Sequence, residues 1–347
     1  MDKAAPFEFA DSEVAPGKRA GFEIPISRVS AGQTVGLPVR VAHGRKPGPV
    51  LFVSAAIHGD EITGVEIIRR LFKRVSPRSL SGTLLCVPIV NVYGFVANSR
   101  YLPDRRDLNR SFPGSKTGSL ASQLAHIFRS EIIERADFGI DLHSAAIHRK
   151  NLPQIRISPD SPMAERLANA FGAPAIITSP LRDSSLRKVA LDAGVEMLLF
   201  EAGEGLRLDE FSIRTGVNGI LRVMEAMEML PPPTRRKVPH PPLHSKRSLW
   251  VRAPRGGVCV TRAKSGDIVR EGQRLALIAN PVTDEEDQIV APIDGLIIGH
   301  ATLPIVNRGD ALFHIAQVEE IESAADRVDG ITDAILTDTM LDEDEVM

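Results

Sequence analysis

Cysteine is scarce in this chain of 347 residues, with only Cys86 and Cys259, and the two lie far apart within apolar runs. That spacing argues against a disulfide framework and for two buried thiols in a reducing compartment. Excess charge is also missing. A net charge of −2 gives no concentrated basic surface, and phosphate binding requires one, so no nucleic-acid partner is expected. No window approaches the ~18–20 consecutive apolar residues that span a bilayer, so no membrane partner is expected either. The opening stretch, residues 1–25, is charged and lacks an apolar centre, and so does not read as a secretory signal. What remains is ordinary: 43% hydrophobic and 25% charged residues, the balance of a soluble globular protein. The expected location is the cytoplasm, and the length suits one large domain plus a small one.

Residues 1–45 read as β-rich, with Gly and Pro between short runs such as 34–41. The all-apolar run 49–57 suits a central strand buried on both faces. His58-Gly59 ends it, and residues 62–75 then place Ile62, Val65, Ile68, Leu71 and Phe72 at helical spacing. The alternation continues with strands at 83–90, 138–142 and 196–200, an extended piece at 175–178, and helices at 120–135, 163–171 and 217–229. Such alternation predicts an α/β domain with a mixed or mostly parallel sheet over residues 1–230. Residues 231–247, rich in Pro, Lys and Arg, read as an extended linker. Residues 248–318 change to short strands between Gly, Pro and Asp and predict a small β domain. Its two halves resemble the barrel-sandwich modules of biotinyl and lipoyl carriers. No Lys stands where such a carrier presents its modified one, and Asp284-Glu285-Glu286-Asp287 fills the centre, so no covalent cofactor is expected. Residues 319–347 read as an acidic tail carrying an amphipathic helix on Ile321, Val328, Ile331 and Ile335.

Four segments carry the chemistry: His58-Gly59-Asp60-Glu61, Asp107-Leu108-Asn109-Arg110, Asp141-Leu142-His143 and Phe200-Glu201-Ala202-Gly203. Each sits where an apolar run gives way to a loop or helix, and ligands in open α/β sheets bind outside the carboxyl ends of strands. His58, Glu61 and His143 form a His2Glu set for one zinc ion per chain, which leaves a coordination position for water as catalytic sites do. Arg110 can grip a carboxylate through paired charge-assisted hydrogen bonds, with Asn109 donating another. Asp107 suits the outer position that orients a ligating imidazole. Arg100 is the candidate cation near the reacting carbonyl, with Arg105 and Arg106 as rivals. Glu201 closes an apolar run and is read as the general base and acid, with Glu204 as rival.

In combination these motifs, HGDE, DLNR with the following FPG, DLHS and FEAGE, resemble the succinylglutamate desuccinylase/aspartoacylase family of the zinc carboxypeptidase-like superfamily. The resemblance covers about residues 45–230 in order and spacing. It implies a zinc carboxypeptidase-like mixed-sheet domain with helices on both faces, followed by a small all-β domain. It also implies zinc on His58, Glu61 and His143, a substrate carboxylate on Asn109 and Arg110, Glu201 as general base and acid, and Arg100 polarising the scissile carbonyl. The implied activity is hydrolysis of a small N-acyl amino acid or related amide. Peptide hydrolysis as a carboxypeptidase, or metal and ligand binding without catalysis, are the alternatives. A homo-oligomer is compatible with the resemblance. The basic residues of 145–156 and 178–188 are expected mostly to face solvent.

Overall fold

Strands form where the apolar runs lie, and the computed structural model, which describes residues 3–231 and 240–337, threads most of them into one sheet. A small hairpin, β1 (Phe7–Phe9) and β2 (Ser12–Val14), precedes the long antiparallel pair β3 (Lys18–Arg28) and β4 (Thr34–His43). Then follow β5 (Lys46–Ala55), α1 (Thr63–Arg74), β6 (Ser81–Val87), the short α2 (Val92–Val96), α3 (Leu120–Glu131), β7 (Phe138–His143), β8 (Arg149–Ile157), α4 (Pro162–Phe171), β9 (Ala175–Thr178), α5 (Leu186–Asp192), β10 (Glu196–Gly203) and α6 (Glu210–Ala226). Strands β6, β5, β7 and β10 run parallel and adjacent at the centre. They are buried on both faces, which is why they read as unbroken apolar runs. Antiparallel β4 and β3 extend one side, and antiparallel β8 extends the other.

Helices cover both faces. Ile67, Ile68, Leu71 and Phe72 of α1 join residues of α4 and α6 against Val53, Ile140, Leu198 and Phe200 on one face. Leu124 and Phe128 of α3 and Val189 of α5 pack with Phe52, Leu85 and Met197 on the other.

Residues 240–337 add β11 (Leu243–Ser245), β12 (Ser248–Arg252), β13 (Gly257–Thr261), β14 (Ile268–Val269), β15 (Arg274–Ala279), β16 (Glu286–Val290), β17 (Gly295–Ala301), β18 (Ile305–Val306), β19 (Ala311–Gln317) and α7 (Ile321–Leu336). A 4-stranded sheet of β16, β15, β13 and β18 encloses a separate apolar core with Phe313 and Ile315. The remaining strands do not stand apart. The outer edge of β8 is shared, its first residues pairing with β17 and its last with β9, so one 13-stranded sheet runs through the molecule. Leu243–Ser245, within the stretch read as linker, pairs parallel with β9. Residues 232–239 of that stretch and 338–347 of the acidic tail lie outside the described residues. Helix α7 buries Val328, Ile331 and Ile335, as its spacing predicts, whereas Ile321 at its first position is only half-buried.

Three elements differ from the sequence reading. Residues 149–157, where the sequence reading placed no strand, form β8, whose Pro153 and buried polar Asn151 and Gln154 hide the strand pattern. Residues 186–192 form α5. Helix α6 begins seven residues early, at Glu210, capped by the Asp209 carboxylate on the Ser212 amide. Its first turns bury Ser212 and Thr215, which carry no apolar periodicity. Both cysteines are buried free thiols in different cores, and burial pushes the Cys86 thiol up to about 12. No described helix is long and apolar enough to cross a membrane.

Candidate active site

The carboxyl ends of β5, β7 and β10 converge on one crevice. After β5 the chain turns through Ala56 at φ +52 and reaches His58 three residues on. Gly59 follows because a Cβ there would sit 1.9 Å from the Gly94 carbonyl carbon of α2. A tight turn from the His58 carbonyl to the Glu61 amide then brings Glu61 back beside His58, just ahead of α1. His143 is the last residue of β7, and Glu201 lies within β10 in direct register with it. Gln154 of β8 is the next partner of Glu201. Paired residues in neighbouring strands share a face, so His143, Glu201 and Gln154 form a row.

Glu61 bridges the imidazoles, its Oε1 2.6 Å from His58 Nδ1 and its Oε2 2.7 Å from His143 Nδ1. The opposite ring nitrogens meet carboxylates: His58 Nε2 lies 3.1 Å from Asp107 Oδ1, and His143 Nε2 lies 2.7 Å from Asp141 Oδ2. Asp141 is itself held by the Ser54 hydroxyl at 2.7 Å. A carboxylate only accepts, so each Nε2 carries a proton, and each Nδ1, which also faces a carboxylate, either carries a second proton or turns a lone pair to a cation. Arg100 Nη1 lies 3.2 Å from His58 Nδ1. Lone pairs facing carboxylate oxygens at these distances demand a positive centre between them, either protons or a cation.

In the metal-free chain the demand appears as protonation. Burial acts to lower both imidazoles, but the Glu61 charge and the Asp107 bond raise His58, and Asp141 and Glu61 raise His143 further. Burial acts to raise Glu61, yet both imidazoles hold it far below the usual carboxylate range. The donor set also fits a metal: the three residues are buried and their ligand atoms lie within 4.8 Å of one another. Carboxylates behind each ligating imidazole are the outer partners metal sites use. Asp141, two residues before His143 on a strand and thus on its face, stood in a segment singled out from the sequence but was given no role there, though period two made it readable.

Among the three candidate arginines it is Arg100 that reaches this cluster, 3.3 Å from Glu61 Oε1 and 2.9 Å from Asp107 Oδ2. Asn91 steadies that loop, donating to the Arg100 carbonyl while capping α2. Arg105 and Arg106 are exposed. Asp107 also caps the turn 108–110 by accepting from the Asn109 amide. The buried Asn109 spends its Oδ1 on the Leu186 amide at 2.8 Å, tying this turn to the start of α5. Arg110 is exposed, within the electrostatic reach of Arg100 and Arg182.

Glu201 accepts from Asn151 Nδ2 at 2.9 Å and lies 3.8 Å from Arg156 Nε. Its rival Glu204 is engaged by the His148 amide and the Thr302 hydroxyl. Arg187 is drawn in by Ser179 Oγ and the Pro180 carbonyl, and burial first, then Arg156 and Arg182, lowers it to about 10. The expectation that these basic residues face solvent is therefore corrected for Arg156 and Arg187: the Arg156 side chain is only 24% exposed. Arg110 lies within electrostatic reach of Arg100 and Arg182, and Arg187 of Arg156, Arg182 and Glu201, so arginines from three separate segments share one field. Asn151 and Arg156 left no local mark in the sequence, since only the register of β8 against β10 brings them to Glu201, and Arg187 reaches its field from α5.

Residues 47–227 match the family model described as the succinylglutamate desuccinylase/aspartoacylase catalytic domain, more than half of the chain. The chain belongs to this family. A similar protein is the N-alpha-acetyl-L-2,4-diaminobutyric acid deacetylase of Halomonas elongata, 29% identical over 335 residues, covering 88% of this chain and 93% of the relative. The succinylglutamate desuccinylase/aspartoacylase structure from Rhodobacter sphaeroides is 28% identical, with TM-score 0.77 over 86% of this chain and 96% of the other. The product-bound ectoine utilization protein EutE (DoeB) from Ruegeria pomeroyi is 23% identical and shares the fold, with TM-score 0.77 over 90% and 98%. The mixed α/β sheet and the following all-β region are thus the architecture of the family.

Proposed function

We propose that this protein is a zinc-dependent amidohydrolase that cleaves a small N-acyl amino acid into a carboxylic acid and a free amine. The observation that carries the reading is the Glu61 carboxylate shared between two Nδ1 atoms, each ring backed by its own aspartate. His58, Glu61 and His143 would hold the ion. When bound, zinc supplies Lewis acidity and makes a nearby water nucleophilic near neutral pH.

The chain's own groups do the rest. Glu201 takes the proton of the attacking water and later delivers it to the departing nitrogen, the double role of a general base and acid. Arg100 donates to the oxygen that gains charge as the acyl carbon becomes tetrahedral, and such preorganised donors usually give the largest rate contribution. Arg110 and the Asn109 amide group anchor the substrate carboxylate, turning binding energy into orientation. Arg182 and Arg187 add to this field. Guanidinium groups so close repel one another, and an anionic substrate relieves that repulsion. Membership of the family and the deacetylase relative both support an N-acyl amino acid over a peptide.

The test is a panel of N-acetyl and N-succinyl amino acids, N-alpha-acetyl-L-2,4-diaminobutyrate included, assayed beside dipeptides with zinc-loaded and metal-stripped protein. Turnover of N-acyl amino acids that disappears on stripping and returns with zinc is expected. Turnover confined to dipeptides would replace the deacylase reading with a peptidase.

A further inference from the structure

Asn151 faces in two directions. Its Nδ2 donates to Glu201 Oε2 at 2.9 Å, while its Oδ1 lies in a notch above Gly299 of β17. Residue 151 is the register partner of Gly299 on one side and Gly203 of β10 on the other. A Cβ on Gly299 would lie 2.7 Å from Asn151 Oδ1. The next contacts, His314 Cβ at 3.6 Å and the Lys150 carbonyl at 3.7 Å, are ordinary, so the amide of Asn151 is the group that would have to move.

The notch is rigid. Gln154, fully buried, donates from Nε2 to the Ile298 carbonyl at 3.0 Å and locks β8 onto β17. On the far side of Gly299, His314 stacks on Trp250 with centroids 4.5 Å apart and holds the Ser248 hydroxyl. Asn151 is itself only 7% exposed, so water cannot take over its bond to Glu201 freely. A carboxylate side chain has several rotamers of similar energy, and a base is useful only in the one that reaches the water.

We infer that Asn151 is the positioning residue for Glu201, and that Gly299, contributed by the C-terminal β region, is what allows Asn151 to occupy that position. The inference rests on Glu201 being the base. It makes the C-terminal region part of the catalytic apparatus: one of its glycines sets the rotamer of an amide that sets the rotamer of the base.

The test combines two variants with a structure comparison. N151L keeps the branched outline and removes the donor; its kcat falls by about 10- to 100-fold while KM stays within about threefold and zinc content is unchanged. G299A lowers kcat in the wild-type background but has no further effect on top of N151L, because both remove the same contact. A kcat for N151L within about twofold of wild type, or additive losses in the double variant, would overturn the inference. Crystal structures of the wild type and G299A supply a readout without turnover. The bond from Asn151 to Glu201 should be present in the first and broken in the second, and its survival in G299A would also overturn the inference. A wild type inactive on the whole panel would refute the function, while the two crystal structures would still decide the positioning.

Discussion

Glu61 meets two imidazoles with one carboxylate, and that arrangement fixes what the site does as pH changes. Metal binding requires neutral imidazoles, whereas His58 and His143 are raised above their ordinary 6.5 in the metal-free chain. Each must shed a proton as the ion enters, so zinc affinity rises with pH through the neutral range and levels once the raised values are passed. Titration in chelator-buffered zinc at pH 6 and pH 8 checks this, and an unchanged Kd would contradict it. Without metal, the protonated imidazoles favour the fold below pH 6.5, a contribution lost as pH climbs through their raised values. The depressed Glu61 carboxyl contributes above 4.5, and that contribution is lost on acidification. Asp141 acts through His143, so D141N is expected to weaken zinc binding by about 10- to 100-fold while leaving the fold intact, read by the same titration. Replacing Glu201 acts on the reaction instead. E201Q keeps the size and the Asn151 contact but cannot accept the water's proton, so turnover should fall about 10²- to 10⁴-fold with one zinc retained. Activity within a few-fold of wild type would remove Glu201 from the mechanism.

Among the elements, β5, β6, β7 and β10 were legible as strands because burial on both faces requires continuous apolar runs, and α1 and α4 because a half-buried helix repeats every 3.6 residues. The buried cluster of His58, Glu61 and His143 was legible for a related reason: strand ends are where compatible side chains converge. Strand β8 was not legible. Asn151, Gln154 and Arg156 serve the site and the β17 junction, so polar residues occupy the positions an apolar pattern would mark. Helix α5 buries only Leu186, Val189 and Ala190, too short a span for periodicity to declare itself. The side-chain bond from Asn151 to Glu201, 50 positions apart, exists only because register sets residue 151 opposite Gly203 and residue 154 opposite Glu201. The junction at β19 has its own measurable signature. Burial, then Arg156, lowers His314 to about 3. An unfolded chain takes up that proton near 6.5, so between pH 6.5 and about 3 the unfolded state binds more protons and stability falls on acidification. The slope from this group is at most ~1.4 kcal/mol per pH unit. H314F keeps the stack on Trp250 and removes the titrating nitrogen, so its Tm should drop less than that of wild type between pH 7 and pH 4. Parallel Tm curves would show that His314 takes no part in acid sensitivity.

Across the whole molecule, the continuity of the sheet governs how the two regions come apart. The apolar cluster beneath the junction draws Leu152, Ala175 and Ile177 from the catalytic region and Leu243, Leu296, Ile298, Ala316 and Val328 from the residues after 240. Separating the regions would expose these side chains, at roughly 1.5–3 kcal/mol for each large one. It would also strip β8 of its β17 partner and leave Gln154 without the Ile298 carbonyl. Summed over the cluster, that penalty is of the order of a whole domain's typical stability, about 5–15 kcal/mol. A state with the C-terminal region unfolded and the catalytic region intact is therefore too high in energy to be populated. Calorimetry on the full chain should show one transition whose van't Hoff and calorimetric enthalpies agree. Because His58, Glu61 and His143 lie on loops and strands of that same unit, zinc should raise the Tm of the entire transition and not of a part of it. Two resolved peaks, with only the first or only the second moved by zinc, would show that the regions are energetically separate and that the shared edge of β8 yields before either core does.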